Sequence, residues 1–318
     1  MNNNNRQSGA IYNETGGVAL VLVVWVIVVL TAIVGEFSYT MRTEINIARN
    51  FKEEEEAYQL ALAGIEKAKL ELLSVNRSEV MYLDEEGMLL FGEEEEKPSR
   101  KGELGKGSFE YKITDEDGKL NINTATEGQL KALFLDAGVD ITDVDIIVDS
   151  IFDWRDDNDL HRLNGAEEDY YRSLENPYSS KDGPFSTVEE MLLVKGITNE
   201  ILYGSKDKEE EEDDEEYYNG VAQYVTTHGS NLININTASE PVLDSALNPT
   251  NAQTVIIMRE AGPIYSTKIA KSKVSSEFFT IVSTGKNMDG SIKRTIKSVV
   301  RIIEKNVETL YWNDNFIG

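Results

Sequence analysis

Apolar residues are distributed along this chain in three ways, and each predicts a different kind of element. Residues 18–35 read VALVLVVWVIVVLTAIVG without a charge, and the first acid after them is Glu36. A helix of that length spans about 27 Å, close to the hydrocarbon thickness of a bilayer, and offers no polar face. Farther on, Ala61, Ile65, Ala68 and Leu72 recur at i, i+4, i+7 and i+11 among charged residues. That spacing predicts one apolar stripe on a helix packed against a soluble domain. No proline precedes Pro98, so one long helix is expected from residue 18 through the seventies, with the acids at 53–56 as a solvated face.

From residue 109 the period changes to two. Phe109, Tyr111 and Ile113 alternate with polar residues, Asp117-Gly118 reads as a hairpin turn, and Leu120 and Ile122 alternate on the return. Residues 76–108, rich in glycine and charge and including the acid run 93–96, are expected to form an exposed loop. The middle of the chain reads as helical. Leu130, Leu133, Phe134 and later Ile146, Ile147 and Ile151 supply apolar faces, and a helix over 189–194 is stopped by Gly196. The eight acids at 209–216 cannot pack and read as a flexible linker. Helices near 242–247 and 252–260 follow, then two strands, 278–283 and 292–303, flanking the turn signal Asp289-Gly290.

One segment occurs twice. Asn121-Ile122-Asn123-Thr124-Ala125-Thr126-Glu127 returns as Asn234-Ile235-Asn236-Thr237-Ala238-Ser239-Glu240, and each copy is followed by a leucine, Leu130 or Leu243. Thr-Ala-x-Glu fits a capping box with Thr124 or Thr237 as N-cap and Glu127 or Glu240 at N3, so each copy is expected to be a strand end turning into a helix. The stretch between the copies then reads as an insertion entered and left through similar joints.

Composition narrows the chemistry. At 318 residues there is room for about two domains beyond the apolar segment. A net charge of -26 opposes nucleic-acid binding, which relies on cations against phosphate, and suits a divalent cation or a basic partner. The absence of cysteine excludes disulfides and thiolate chemistry, and His161 and His228 are too few for a multi-histidine centre. Residues 153–169 concentrate seven carboxylates and two arginines. Carboxylates this close repel one another unless a cation sits among them, and hard oxygen ligands favour calcium over zinc. The spacing is not that of an EF-hand, because counting from Asp157 puts Arg162 at the glycine place. Three other readings stay open: a solvated acidic loop with Arg155 and Arg162 as partners, a glycosidase pair such as Asp153 and Glu167, and a helix-hairpin-helix DNA-binding protein of a competence-type system. The last draws on the Asn-Ile-Asn-Thr-Ala repeats and Val194-Lys195-Gly196-Ile197, although Thr198 takes the second glycine place.

Two sets of residues carry a family resemblance. Gly16-Gly17 directly before the apolar run resembles the N-terminus of type IV pilin-like proteins, where a prepilin peptidase cuts after a glycine and the new N-terminus is methylated. The resemblance implies cleavage between Gly17 and Val18. Leu22 then stands at the fifth mature position, where most of that family carries glutamate and the K-class minor pseudopilin of type II secretion does not. The leader has one basic residue, Arg6, offset by Glu14, so a plain signal anchor is the competing reading. The second set is similar to the inserted α-domain of K-class pseudopilins. It comprises Asp153-Trp154-Arg155-Asp156-Asp157-Asn158-Asp159, Asn164-Gly165-Ala166-Glu167-Glu168-Asp169-Tyr170-Tyr171, Asn176-Pro177-Tyr178, Phe185-Ser186-Thr187-Val188-Glu189-Glu190 and Val194-Lys195-Gly196-Ile197-Thr198.

The resemblance implies an α+β, type IV pilin-like fold: a long N-terminal transmembrane helix and an antiparallel sheet, interrupted by a large helical insert. The expected segments are a leader (1–17), the transmembrane half of the helix (18–35), the first part of the pilin-like domain (36–124), the insert (125–230, with an acidic linker at 205–218) and the second part (231–318). It implies calcium in the insert, with Asp156, Asn158, Asp159 and Glu167 as ligands and Asp153 and Asp157 as further candidates. It also implies a structural protein without catalysis, anchored in the bacterial inner membrane with its soluble part in the periplasm. Its implied partners are the prepilin peptidase and the I- and J-class minor pseudopilins, and its implied place is the pseudopilus tip, in the export of folded periplasmic proteins.

Overall fold

The computed structural model describes residues 15–75, 79–92, 97–205 and 217–317. The acid runs at 93–96 and 209–216 and most of the expected leader lie outside them. A single helix, α1 (Thr15–Ser74), opens the described chain, as the unbroken apolar run and the absence of proline predict. The chain divides into two compact units, residues 1–55 and 56–318. In the first, the side chains of residues 18–35 are exposed almost throughout. This stretch has a mean hydropathy of 3.1 and makes α1 the one helix among the described residues long and apolar enough to cross a membrane.

The second unit begins with the predicted stripe. Ala61, Ile65, Ala68 and Leu72 are all buried. Two hairpins follow, β1 (Met81–Leu83) with β2 (Leu89–Phe91), and β3 (Lys101–Leu104) with β4 (Gly107–Asp115). The chain then leaves the sheet. A first helical unit holds β5 (Leu120–Asn121), α2 (Glu127–Asp136), α3 (Ile141–Arg155), α4 (Glu168–Arg172), a 3₁₀ turn (Glu189–Leu193), α5 (Asn199–Tyr203) and β6 (Val225–Thr226). A second holds β7 (Ile233–Asn234), α6 (Glu240–Ala246), α7 (Pro249–Glu260) and β8 (Ser272–Lys273). The chain returns as β9 (Phe278–Lys286), β10 (Lys293–Ile303) and β11 (Asn306–Asn313), completing a five-stranded antiparallel sheet in the order β11-β10-β9-β4-β3. The α1 stripe packs on this sheet against Ile113, Phe279, Ile281, Ile296 and Val300. Contact is close enough that a Cβ on Gly285 would lie 2.0 Å from the Ala57 carbonyl oxygen.

Several local expectations are corrected. Residues 76–108 are not an exposed loop: they carry β1 to β3, with Leu89, Leu90 and Phe91 buried. Three-residue strands are too short to show a period. Asp117-Gly118 does not close a hairpin. The Asp117 carboxylate, 1% exposed, accepts from Ser230 N and Oγ, Glu277 N and Lys273 Nζ, and this fixes the end of β4 to both helical units. Leu120 accordingly pairs in parallel with Val225 instead of returning along β4. The helix caps fall two residues later than predicted. Thr126 is the N-cap of α2, with its N–H on Gln129 Oε1 at 2.9 Å, and Ser239 is the N-cap of α6. Thr237 Oγ1 donates instead to Asp115 Oδ2 at 2.6 Å. The element at 189–193 is a 3₁₀ turn, although Gly196 does hold φ +88° just beyond it.

The sequence repeat is a repeat of structure. In the first copy the Asn123 side chain accepts from Phe185 N (2.7 Å) and donates to Phe185 O (3.0 Å). In the second, Asn236 accepts from Ile264 N and donates to Ile264 O, both at 2.9 Å. Arg155, closing α3, donates to Ala125 O at 2.9 Å; Arg259, near the end of α7, donates to Ala238 O at 2.6 Å. Each copy closes with a short parallel strand pair, β5 with β6 and β7 with β8. Residues 231–277 therefore stand with the helices, and the sheet resumes only at Phe278.

Candidate metal site

The predicted ligands lie between the end of α3 and the start of α4. Helix α3 starts where the Asp140 carboxylate accepts from Thr142 N at 2.9 Å, and its apolar face, Val144, Ile147, Val148 and Ile151, is buried. That packing carries Asp153 and Trp154 into the interior at the last turn. Asp153 is fully buried and, among the described residues, its two oxygens accept the backbone N–H of Arg162, at 3.3 and 3.2 Å. Burial, with the charges of Asp156 and Asp149, raises its pKa, and the Arg162 N–H opposes the rise.

Glu167, at the N-cap of α4, is 2% exposed, and neither carboxylate oxygen has a hydrogen-bond partner among the described residues. Burial, reinforced by Asp153, Asp156, Asp182 and Asp159, pushes it up to about 7. Asp156 Oδ1 accepts from Asn158 N (3.2 Å) and Nδ2 (2.6 Å), while Asp157, Asn158 and Asp159 are exposed. Among the described residues no three His, Asp or Glu side chains are grouped closely enough to hold a metal ion.

The two arginines are not the counterions of this loop. Arg162 pairs with Glu127 (3.1 Å) and Asp149 (3.2 Å), and Arg155 donates to the Ile122 and Ala125 carbonyls. Both guanidinium groups stack on Phe152, 4.0 and 4.1 Å from its ring centre. Among the described residues neither buried carboxyl, Asp153 or Glu167, has an ion-pair partner. The orphaned carboxylate of Glu167 has the chemistry of a hard-cation ligand, and His161 is engaged with Asp169 at 2.9 Å, but the described structure does not gather the other predicted ligands around it.

Sequence reasoning missed the residues that hold the loop. Lys195 Nζ donates to Asn164 O and Gly165 O, each at 3.1 Å, and lies 5.0 Å from the Tyr170 ring centre. A Cβ on Gly165 would stand 1.9 Å from Asp153 Oδ2, so only glycine passes there. Trp154 Nε1 donates to Glu190 Oε1 at 2.9 Å, Glu190 pairs with Lys181, and Tyr171, Tyr178 and Phe185 surround the indole. The separate motifs quoted from the sequence therefore meet in one cluster. The phosphate-binding alternative has little geometry behind it, because Thr198 Oγ1 accepts from Ile201 N at the start of α5.

Comparisons fall on the same residues. Residues 111–204 match the family model described as type II secretion system, protein K. A putative type II secretion system protein K of Escherichia coli is 24% identical over 203 residues, covering 59% of this chain and 60% of that protein; the chain thus spans about three-fifths of its relative's length in this match. Among solved structures, the GspK-GspI-GspJ complex of the enterotoxigenic Escherichia coli type 2 secretion system matches with a TM-score of 0.56 at 16% identity, covering 87% of this chain and 99% of the matched chain. That likeness is one of fold. With the family-model match running from β4 across the cluster around Asp153, Glu167 and Lys195, residues 111–204 of this chain are similar to protein K of type II secretion.

Proposed function

We propose that this chain is the tip subunit of a type II secretion pseudopilus, a structural protein that helps initiate assembly and export. The observation that carries the reading is where the helical units attach. Strand β4 ends at Asp115, which pairs with Phe279 at the start of β9, so both helical units leave and return at one end of the sheet. A further subunit placed over that end would collide with them. Residues 18–35 anchor the protein in the inner membrane, the soluble part lies in the periplasm, and the I- and J-class minor pseudopilins are its partners. Processing between Gly17 and Val18 leaves Leu22 at the position where other pilins carry glutamate. A tip subunit has no neighbour above it whose N-terminal amine that carboxylate would meet. The decisive experiment is immunogold labelling of an epitope tag in the helical insert on pseudopili assembled in cells. Label confined to filament ends supports the reading, and label along the shaft refutes it.

The helical insert holds calcium in this reading, with Glu167, Asp156, Asn158 and Asp159 as ligands and Asp153 and Asp157 as further candidates. The ion supplies the positive charge that the buried carboxyls lack. Gly165 and Lys195 hold the loop close against Asp153 at the end of α3.

A further inference from the structure

The two structural copies bury corresponding positions very differently. Arg155 and Arg259 make the same bond to the alanine of their repeat, which aligns Asp153 and Trp154 on α3 with Ile257 and Met258 on α7. The first pair is 0% and 2% exposed; the second is 56% and 45% exposed. What covers the first pair is the segment from Arg162 to Met191. It lays Tyr171, Tyr178 and Phe185 around Trp154 and brings Arg162 to Glu127, the first residue of α2. Glu240 is the first residue of α6 and the counterpart of Glu127. It is exposed, and among the described residues it has no ion-pair partner and no segment takes the covering place. Beside it runs a groove of about 660 Å³ lined by Glu240, Ile256, Glu260, Pro263, Asp84 and Glu85. Arg259, which also lines it, gives its guanidinium N–H to Ala238 O.

We propose that the Ile257–Met258 face of α7, with the adjoining acidic groove, is a docking surface for a segment of a partner minor pseudopilin that presents an aliphatic or aromatic anchor beside an arginine or lysine. The first copy defines that chemistry, because its own covering segment supplies rings over the α3 face and a cation to the helix-start glutamate. The acidic lining selects a basic partner and excludes a second copy of this chain, whose net charge is -26. The partner's identity rests on the assembly reading above; the surface does not.

The test uses the full-length chain in detergent with the I- and J-class proteins of the same secretion system, titrated at low and high salt. Ile257→Asp and Glu240→Lys are each expected to weaken one of these partners about tenfold, as truncating an anchor does. Glu240→Lys should also flatten the salt dependence. Both positions are exposed, and thermal melts that overlay the wild type confirm that the variants fold. Lys305→Glu, in the β10–β11 turn, is the control and should bind normally. Wild-type affinity for both partners in Ile257→Asp and Glu240→Lys overturns the surface while leaving the assembly reading intact. A wild-type chain that binds neither partner overturns both.

Discussion

Glu167→Gln separates the cost of an unpartnered charge from its use. In the folded chain this carboxyl is buried without a donor and its pKa is pushed up to about 7 from an ordinary value of 4.5. The folded state therefore holds its proton more tightly than the unfolded state does. The stability linked to that proton is complete below the ordinary value and is lost as pH rises through about 7. The difference corresponds to at most ~3 kcal/mol. Water screens the repulsion from exposed Asp159 and partly exposed Asp156, which brings the expected loss to about 2 kcal/mol. Glutamine has the same shape and no charge, and a buried amide costs less than a buried carboxylate. At pH 8 with chelator the variant should be the more stable protein by roughly 2 kcal/mol, a melting-temperature gain of about 4–8 °C for a domain of this size. At pH 5 the gap should nearly close, because the wild-type carboxyl is then protonated.

Calcium should reverse the order. An ion bound only by the folded state stabilises it by about 2–4 kcal/mol near saturation, and the variant offers one neutral oxygen in place of a carboxylate. Circular-dichroism melts of the full chain in detergent, with calcium or chelator at the two pH values, read all four quantities. Two results would refute the reasoning: a variant less stable than wild type in chelator at pH 8, or calcium raising both proteins equally.

Asp159→Ala should lose most of the calcium-dependent shift, and magnesium should stabilise the wild type less than calcium because it demands stricter geometry; equal responses to both ions in melts would remove the metal assignment. Intact-mass analysis of chain made with prepilin peptidase should show loss of residues 1–17 and gain of a methyl group, and a retained leader would favour a plain signal anchor. Leu22→Glu should not improve secretion, since it puts a charge in the bilayer at about 3 kcal/mol or more without a partner amine; better export than wild type would count against the tip position. Gly285→Ala should destabilise by about 1–3 kcal/mol in urea unfolding, because its Cβ would meet the Ala57 carbonyl at 2.0 Å; an unchanged midpoint would show that α1 can lift from the sheet.

What the sequence made legible was whatever repeats with a period. The α1 stripe and the helices around Leu130 and Ile147 follow from spacing, and the β9–β10 hairpin from its Asp289-Gly290 turn signal. The short strands β1 to β3 escaped because three or four residues hold no period, and β11 escaped because its side chains alternate only weakly in burial. The acidic loop was visible as chemistry, but its division of labour was not. Nothing in the order Asp153 to Asp159 says that Arg155 turns to backbone carbonyls or that Arg162 leaves for Glu127 and Asp149. Those choices depend on Phe152, which takes both guanidinium groups on its ring, and on contacts many residues away in sequence.

The joint between sheet and helices was misread for the same reason, and it bears on function. Asp115 is fully buried. Its Oδ2 accepts from Thr237 Oγ1 (2.6 Å), Ser276 Oγ (2.7 Å) and Asn234 Nδ2 (2.9 Å), and its Oδ1 from Asp117 N (2.8 Å). Burial, then the neighbouring Asp117, raises its pKa. A buried carboxylate is an expensive way to gain stability, since apolar residues of similar volume do at least as well. What it provides is direction: its donors come from β4's own end, the second copy of the repeat and the approach to β9, and all must be in place at once. Asn234 and Thr237 belong to the second copy of the repeat, so the motif that opens a helix also bonds that helix to the end of β4. An insert held in this way cannot swing on a two-strand linker. Rigid attachment at one end of the sheet is the property that a subunit needs if its bulk is to prevent another from stacking above it.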